Sequence, residues 1–108
     1  MTNANRAENN LTASERRFEE QLLAVKTKML KMGMLPKYNG FEYLAEAIVM
    51  FEPGIKICDQ IYGKIAKKHG STKTSVERCV RTLLKISGFN VKNGDFISMH
   101  NFLWLEMG

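Results

Sequence analysis

The chain has 108 residues, of which 44% are hydrophobic and 25% charged, and this composition predicts a folded domain rather than disorder throughout. No stretch approaches the roughly 20 apolar residues of a membrane span, and the polar residues 1–10 lack the apolar segment of a signal peptide. We therefore expect a cytoplasmic protein with no membrane partner. The formal net charge of +5 points instead towards a polyanionic partner.

The N-terminal part predicts a flexible tail at residues 1–11, followed by a helix. Thr12-Ala-Ser-Glu15 has the spacing of a capping box, which opens a helix. Apolar residues then recur at steps of three and four, so one stripe of the helix faces a core: Phe18, Leu22, Val25, Met29 and Met32. Gly33 and Pro36 are expected to end this helix. We expect residues 12–108 to form a single helical domain.

The middle of the chain predicts several shorter helices. One lies at about 41–51, and the turn Glu52-Pro-Gly54 ends it. The apolar segment 55–61 predicts one or two further helical turns. A short helix near 63–69, a turn, and a longer helix at about 75–86 follow.

The C-terminal segment predicts a final helix that Asp95 caps and that runs through Glu106. Its expected inner face comprises Phe96, Met99, Leu103 and Met107. Strand-like alternation of any length is missing from the sequence. The predicted fold class is therefore all-α, with five to six short helices around a helix-turn-helix.

That helix-turn-helix is predicted at about residues 62–86. Ala66 provides the small residue where two helices cross closely, and Gly70, four positions later, permits the positive φ of the turn. Thr74-Ser-Val-Glu77 has capping-box spacing where the second helix should begin. The apolar residues of that second helix form one inner stripe: Val76, Cys79, Val80 and Leu83.

Basic residues concentrate around this motif. Between Lys56 and Lys92 the chain has nine Lys or Arg and only two acidic residues, a local net charge of +7. Such a segment indicates a polyanion such as double-stranded DNA, although a merely solvated charged face gives the same pattern.

The outer face of the second helix supplies the candidate site. It carries a continuous polar stripe formed by Thr74, Arg78, Arg81 and Lys85. Arg78 and Arg81 can each contact guanine with two hydrogen bonds; alternatively they are solvated, with Arg81 paired to Glu77. The predicted base-edge residues are Arg78, Arg81, Glu77, Thr74 and Ser75, although helix capping alone also explains Glu77. The predicted phosphate contacts are Lys67, Lys68, Lys73 and Lys85.

Enzymatic and cofactor functions have no support in the sequence. Cys79 lies on the apolar stripe of its helix, so packing explains it better than nucleophilic catalysis does. Cys58, His69 and His100 lack metal-ligand spacing, and no glycine-rich phosphate loop is present. We predict a non-enzymatic protein without metal or cofactor.

The aromatic C-terminus leaves two interpretations open. Phe102, Trp104 and Leu105 either cap the core or form an exposed apolar patch. We expect any homodimer contact or protein partner to use this Phe102/Trp104 region or the N-terminal helix.

Four blocks of the sequence together resemble one protein family. They are Gly40-Phe-Glu-Tyr-Leu-Ala-Glu-Ala-Ile, Ile65-Ala-Lys-Lys, Ser75-Val-Glu-Arg78 and Asn93-Gly-Asp-Phe-Ile-Ser-Met99. They occur in the same order in the C-terminal DNA-binding effector domain of the master sporulation response regulator of endospore-forming Firmicutes. The resemblance covers about residues 30–106 and implies a sequence-specific transcription factor. By position, it places Glu77, Arg78 and Arg81 in the recognition helix, and Lys67 and Lys68 in a basic pair.

The chain also departs from this family. Ser75 stands where the family usually has Arg, and residues are missing before Tyr62 and after Ser87. A length of 108 residues leaves no room for a receiver domain, so we expect a stand-alone regulator. The alternative is a protein-interaction module that keeps the effector fold and regulates another protein. The loss of Arg at Ser75, the shortened C-terminal half and the Phe102/Trp104 region favour that alternative.

Overall fold

The structure is a computed structural model that describes residues 11–107. These residues form five α-helices and contain no strand, which confirms the predicted all-α class. The helices are α1 (Ala13–Lys31), α2 (Asn39–Met50), α3 (Gly63–His69), α4 (Lys73–Ile86) and α5 (Asn93–Asn101). A first π-helical turn (Ile57–Tyr62) leads into α3, and a second (Phe102–Glu106) continues α5. The predicted N-terminal tail, apart from Leu11, lies outside the described residues.

Helix α1 begins and packs as its sequence predicts. Thr12 caps it: the hydroxyl accepts the Glu15 N–H at 3.1 Å, and the Glu15 carboxylate accepts the Thr12 N–H at 2.9 Å. Leu22, Val25 and Met29 are buried. Both the capping box and the buried stripe therefore match the sequence prediction, so local sequence is sufficient to define this helix.

Helix α2 is the central element, and α1, α4 and α5 all pack against it. Almost every residue from Phe41 to Ile48 is buried. Its close contact with α4 depends on Gly40, because a Cβ there would collide with the carbonyl oxygen of Cys79 and lie 3.0 Å from the Leu83 Cβ. Glycine at this position therefore sets how near the two helix axes come.

Helix α5 differs from the sequence prediction in both its start and its inner face. It begins at Asn93, and Asp95 lies in its first turn rather than at its cap. Met99, Leu103 and Met107 are exposed, so the predicted inner face is wrong apart from Phe96. The buried residues are Phe96, Ile97 and Asn101.

Asn101 explains which side of α5 faces the core. Its Nδ2 donates to the carbonyl oxygens of Ile48 at 2.8 Å and Phe51 at 3.1 Å, which are otherwise unsatisfied groups at the end of α2. The apolar residues of α5 and its continuation point to several sides of the helix, so their spacing does not determine which side turns inward. The hydrogen bonds from one buried amide decide it.

Candidate nucleic-acid interface

Helices α3 and α4 form the helix-turn-helix at the predicted place. Gly70 has φ 66° and ψ 37°, the left-handed conformation that the turn was expected to need. The Ala66 carbonyl accepts the N–H groups of Gly70 and, at 2.8 Å, Ser71. Ala66 itself is buried. The turn is therefore short and fixed by the backbone of α3.

The start of α4 lies earlier than predicted. Thr72 is its N-cap, and the Thr72 hydroxyl accepts the Ser75 N–H at 3.1 Å. The predicted capping box of Thr74 and Glu77 is therefore wrong. Thr72 takes this role because it is the extended residue directly before the helix, with φ −124° and ψ 158°. Glu77 is consequently available to bind another side chain.

The inner face of α4 is apolar, as its stripe predicts. Val76, Val80, Leu83 and Leu84 are buried. Cys79 is half-buried and packs against this core, which agrees with the packing interpretation of its sequence position. This face holds α4 on α2 and leaves the opposite side of the helix to solvent.

The outer face of α4 presents the predicted base-edge residues. Thr74, Arg78, Arg81 and Lys85 are all exposed, while Ser75 and Glu77 lie at the edge of the face and are half-buried. The Glu77 carboxylate accepts a hydrogen bond from Arg81 one turn later, and this bond raises the pKa of Arg81. Within residues 11–107, Arg78 forms no ion pair.

Three lysines lie together beside the start of α4. Lys64, Lys67 and Lys73 line one shallow depression between α3 and the turn. Lys73 donates to Asp59 at 3.0 Å, and this hydrogen bond raises the pKa of Lys73. The sequence pattern did not single out Lys64. The spacing of Lys64 and Lys67 by three residues, which puts both on one side of a helix, was the available signal.

Lys68 lies on a different side of α3. Its Nζ is 3.3 Å from the Glu46 Oε2 and 5.8 Å from the centre of the Phe18 ring. These neighbours belong to α2 and α1, away from the Lys64, Lys67 and Lys73 depression. The structure therefore separates Lys67 and Lys68, which are adjacent in sequence.

Glu46 is the centre of a buried polar network that the sequence patterns did not predict. Glu46 is only 1% exposed, and the Nε2 of His69 lies 3.0 Å from the Glu46 Oε2. Burial raises the pKa of Glu46, a hydrogen bond with Glu42 raises it further, and the His69 contact opposes the rise. Lys26 of α1 binds Glu42 at 2.6 Å. A glutamate inside the apolar run of α2 was the signal, because buried carboxylates require partners.

The two acidic residues of the basic segment both bind cations. Asp59 pairs with Lys73, and Glu77 pairs with Arg81. Six cations of this segment form no ion pair within residues 11–107: Lys56, Lys64, Lys67, Arg78, Lys85 and Lys92. Four of them, Lys64, Lys67, Arg78 and Lys85, lie on or beside the outer face of α4, where an anionic partner can reach them.

Residues 11–107 contain neither a metal-binding cluster nor a membrane-spanning helix. No group of three His, Cys, Asp or Glu side chains there is arranged to hold a metal ion. None of the described helices is both long and apolar enough to cross a bilayer.

An all-α fold with a helix-turn-helix and an exposed basic face on its second helix defines the class of helix-turn-helix DNA-binding folds. Residues 25–103 match the family described as the sporulation initiation factor Spo0A C terminal. Since the match covers most of the chain, the protein belongs to this family, and the resemblance seen in the sequence blocks is confirmed. The family comprises DNA-binding effector domains that regulate transcription and is not a family of enzymes.

Proposed function

We propose that residues 12–108 act as one DNA-binding domain, and that the chain is a sequence-specific regulator of transcription in the cytoplasm. In this proposal, α4 enters the major groove of double-stranded DNA, which is wide enough for one helix. The observation that carries the proposal is the outer face of α4, where exposed Arg78 and Arg81 lie one turn apart. Membership of a family of DNA-binding effector domains supports it.

The two arginines are assigned to base edges. Arg78 has no ion pair among the described residues, so it reaches a guanine without breaking an existing contact. Arg81 must break its ion pair with Glu77 before it binds a base. Exposed ion pairs of this kind are weak enough to break. Glu77 is then free to accept a hydrogen bond from cytosine. Thr74 and Ser75, near the start of α4, are assigned to the same groove.

The lysines are assigned to the DNA backbone. Lys67 and Lys73 face one phosphate strand beside the start of α4, and Lys85 faces the other near its end. We add Lys64 to this set, because it lines the same depression as Lys67 and Lys73. We remove Lys68 from it, because Glu46 and Phe18 hold its ammonium group on the other side of α3. Phosphate contacts of this kind fix register without reading sequence.

The proposal is tested by selecting binding sites from random duplex DNA and then titrating salt on the selected site. We expect an enriched sequence and an affinity that falls steeply with salt, because several phosphate contacts release counterions. Arg78→Ala should weaken binding by about 1–3 kcal/mol and relax the preference at one position.

Lys28→Ala is the matched control, since it removes one exposed charge from α1, away from α4. It should leave both affinity and sequence preference nearly unchanged. Equal losses of DNA affinity for Lys28→Ala and Arg78→Ala would show that binding depends only on general charge attraction. A failure to enrich any sequence would overturn sequence-specific binding.

A second candidate function is a protein-interaction module, and the C-terminal surface favours it. Met99, Phe102 and Leu103 are 51%, 54% and 44% exposed and lie on one side of α5 and its continuation. Trp104 and Leu105 are instead half-buried and pack on the core. Of the predicted Phe102/Trp104 patch, Phe102 therefore contributes most of the accessible surface.

Self-association of the full chain distinguishes this candidate. If the chain is an interaction module that pairs with a second copy, wild type should sediment as a dimer and Phe102→Ser as a monomer. The wild type should then bind DNA only weakly at physiological salt. A monomeric wild type would exclude self-association through this surface, and tight binding to a DNA site would exclude the interaction module as the main function.

A further inference from the structure

An open groove of about 1010 Å³ lies beside the second half of α4. Its walls come from the first π-helical turn, from α4, and from the segment 88–94 that leads into α5. Ile57, Phe89 and Val91 make much of the wall apolar. A groove of this size and lining is typical of sites for small organic molecules.

The N-terminus of α5 opens onto the groove without a side-chain cap. Lys92 is the N-cap residue, and no side chain accepts a hydrogen bond from the first turn. Lys92, Asn93 and Gly94 all line the groove. The first N–H groups of a helix attract anions through both their hydrogen atoms and the helix dipole. Gly94 has no side chain of its own there, and the Ile57 Cδ1 would lie 3.3 Å from a Cβ at this position.

A second, independent feature of the same wall is the hydroxyl of Tyr62. The residue is 3% exposed, and the hydroxyl hydrogen has no acceptor among the described residues. The nearby amide of Asn93 donates to the Glu77 carbonyl oxygen at 3.0 Å, and its interaction with the Tyr62 hydroxyl lowers the pKa of Tyr62. Burial has the larger effect and raises the pKa of Tyr62. A tyrosine hydroxyl is protonated at neutral pH in any case, so its hydrogen is available to donate to a bound group.

The charges around the groove are mostly positive. Arg81, Lys85 and Lys92 line it, and Glu77 is its one carboxylate among the described residues. Because Glu77 already binds Arg81, it opposes an incoming anion less than a free carboxylate does. An apolar floor with cationic edges suits a molecule that is apolar in its body and negatively charged at one end.

We propose that this groove binds a small organic anion with a flat apolar body and one carboxylate, sulfonate or phosphate group. The anionic group binds the first turn of α5 and the ammonium of Lys92, with the Tyr62 hydroxyl as a further donor. The body packs against Ile57, Phe89 and Val91. Such a ligand is a candidate effector of the protein.

The groove shares Arg81 and Lys85 with the face that the proposed function assigns to DNA, so the effector role rests on that proposal. A bound anion draws these cations towards the groove and adds negative charge beside α4. Ligand and DNA therefore weaken each other's binding by the same factor, as linkage requires.

The test uses anilinonaphthalene sulfonate, a fluorescent anion with a flat aromatic body, on the full chain. N-phenyl-naphthylamine, which has a similar body without the sulfonate, is the neutral comparison. Amide NMR spectra locate the binding. We expect the sulfonate to shift the amides of residues 93–95 and to bind about tenfold more tightly than the neutral compound, as charge-assisted hydrogen bonds do.

Two substitutions test the donors. Lys92→Gln and Tyr62→Phe should each weaken the sulfonate several-fold, and Tyr62→Phe should fold at least as stably as wild type because it removes an unsatisfied hydroxyl. Lys28→Gln removes a matched exposed charge from α1, outside both the groove and the face assigned to DNA, and should leave binding unchanged. Phe102→Ser should also leave it unchanged.

Each remaining outcome contradicts the proposal. Shifts confined to α1 or to residues 102–107, equal affinity for both compounds, or no effect of Lys92→Gln would show nonspecific apolar binding. Ligand binding is measured without DNA, and DNA affinity without ligand, so either proposal can fail alone. If both bind but the sulfonate does not lower DNA affinity, the groove is a ligand site without the proposed effector role.

Discussion

The two sides of α4 differ in how far other residues of the chain bury them or pair with them. On the inner side, Val76, Val80 and Leu83 are buried, and Gly40 lets α2 approach the backbone of Cys79. On the outer side, Arg78 and Lys85 are exposed and have no ion pair among residues 11–107. The inner side therefore accounts for stability, and the outer side is available for a partner. Substitutions on the two sides should consequently affect different measurements.

The largest effect is expected at the α2–α4 contact. Gly40→Ala places a methyl group against the carbonyl oxygen of Cys79, and a backbone atom cannot move aside as a side-chain end can. We expect a loss of about 3 kcal/mol or more in the free energy of unfolding, measured by urea denaturation.

Gly63→Ala is the matched control for that prediction. The new Cβ would lie 3.6 Å from the Lys73 Cδ, an ordinary contact, in a residue with helical φ and ψ. It should stabilise the protein by about 0.5–1 kcal/mol through helix propensity. If both variants lost similar stability, the close approach at Gly40 would not be the cause.

The next largest effect is expected at Asn101, which joins α5 to α2. Asn101→Ala leaves two carbonyl oxygens at the end of α2 without their donor. The free energy of unfolding should fall by about 2–3 kcal/mol. Asn90→Ala, at an exposed position in the loop before α5, should change it little. A similar stability for both variants would mean that the Asn101 hydrogen bonds do not determine the rotation of α5.

A smaller, pH-dependent effect is expected at Glu46. Burial raises its pKa above the ordinary value of 4.5, so the folded state favours the protonated carboxyl. Its contribution to stability is therefore complete below about pH 4.5 and is lost as the pH rises through the higher folded value, at about 1.4 kcal/mol per unit of pKa difference.

Unfolding of Glu46→Gln across this pH range checks the sign. Relative to wild type, the variant should become progressively more stable as the pH rises. The groups that face Glu46 are Glu42, Lys68 and His69, with Lys26 behind Glu42. Glu52→Gln, at an exposed carboxylate, is the control and should show no such trend. The opposite trend would mean that the ion pairs outweigh desolvation.

The smallest effect separates two adjacent lysines. Lys67→Gln should reduce the slope of log affinity for DNA against log salt by about one, because one phosphate contact is lost. Lys68→Gln should leave the slope unchanged, since its ammonium group lies against Glu46 and Phe18. Equal changes in slope for the two variants would show that Lys68 also contacts a DNA phosphate.

Several features could be predicted from the sequence because their causes are local. The capping box of Thr12 and Glu15 and the stripe of α1 need only residues within a few turns. Gly70 was predictable because a tight turn between two helices requires a positive φ. The same periodicity placed Arg78 opposite Val80, on the exposed side of α4.

Other features depended on competition between local signals. Two possible caps, Thr72 and Thr74, precede the body of α4, and only the first is used. Glu77 has spacing suited both to a capping box and to a pair with Arg81, and the structure has the pair. Sequence alone offers both choices at similar energy, so the path of the preceding turn decides between them.

By itself, the sequence determined the helical class, the position of the helix-turn-helix and the polar outer face of α4, because helix period and turn chemistry act over a few residues. Tertiary structure alone decided which side of α5 is buried, which of Lys67 and Lys68 faces outward, and how Tyr62 comes to lie in the wall of a groove. These outcomes depend on residues far apart in sequence: Asn101 contacts Ile48, and Lys68 contacts Glu46. Buried polar groups must find partners wherever the packed helices place them, and periodicity contains no information about those partners.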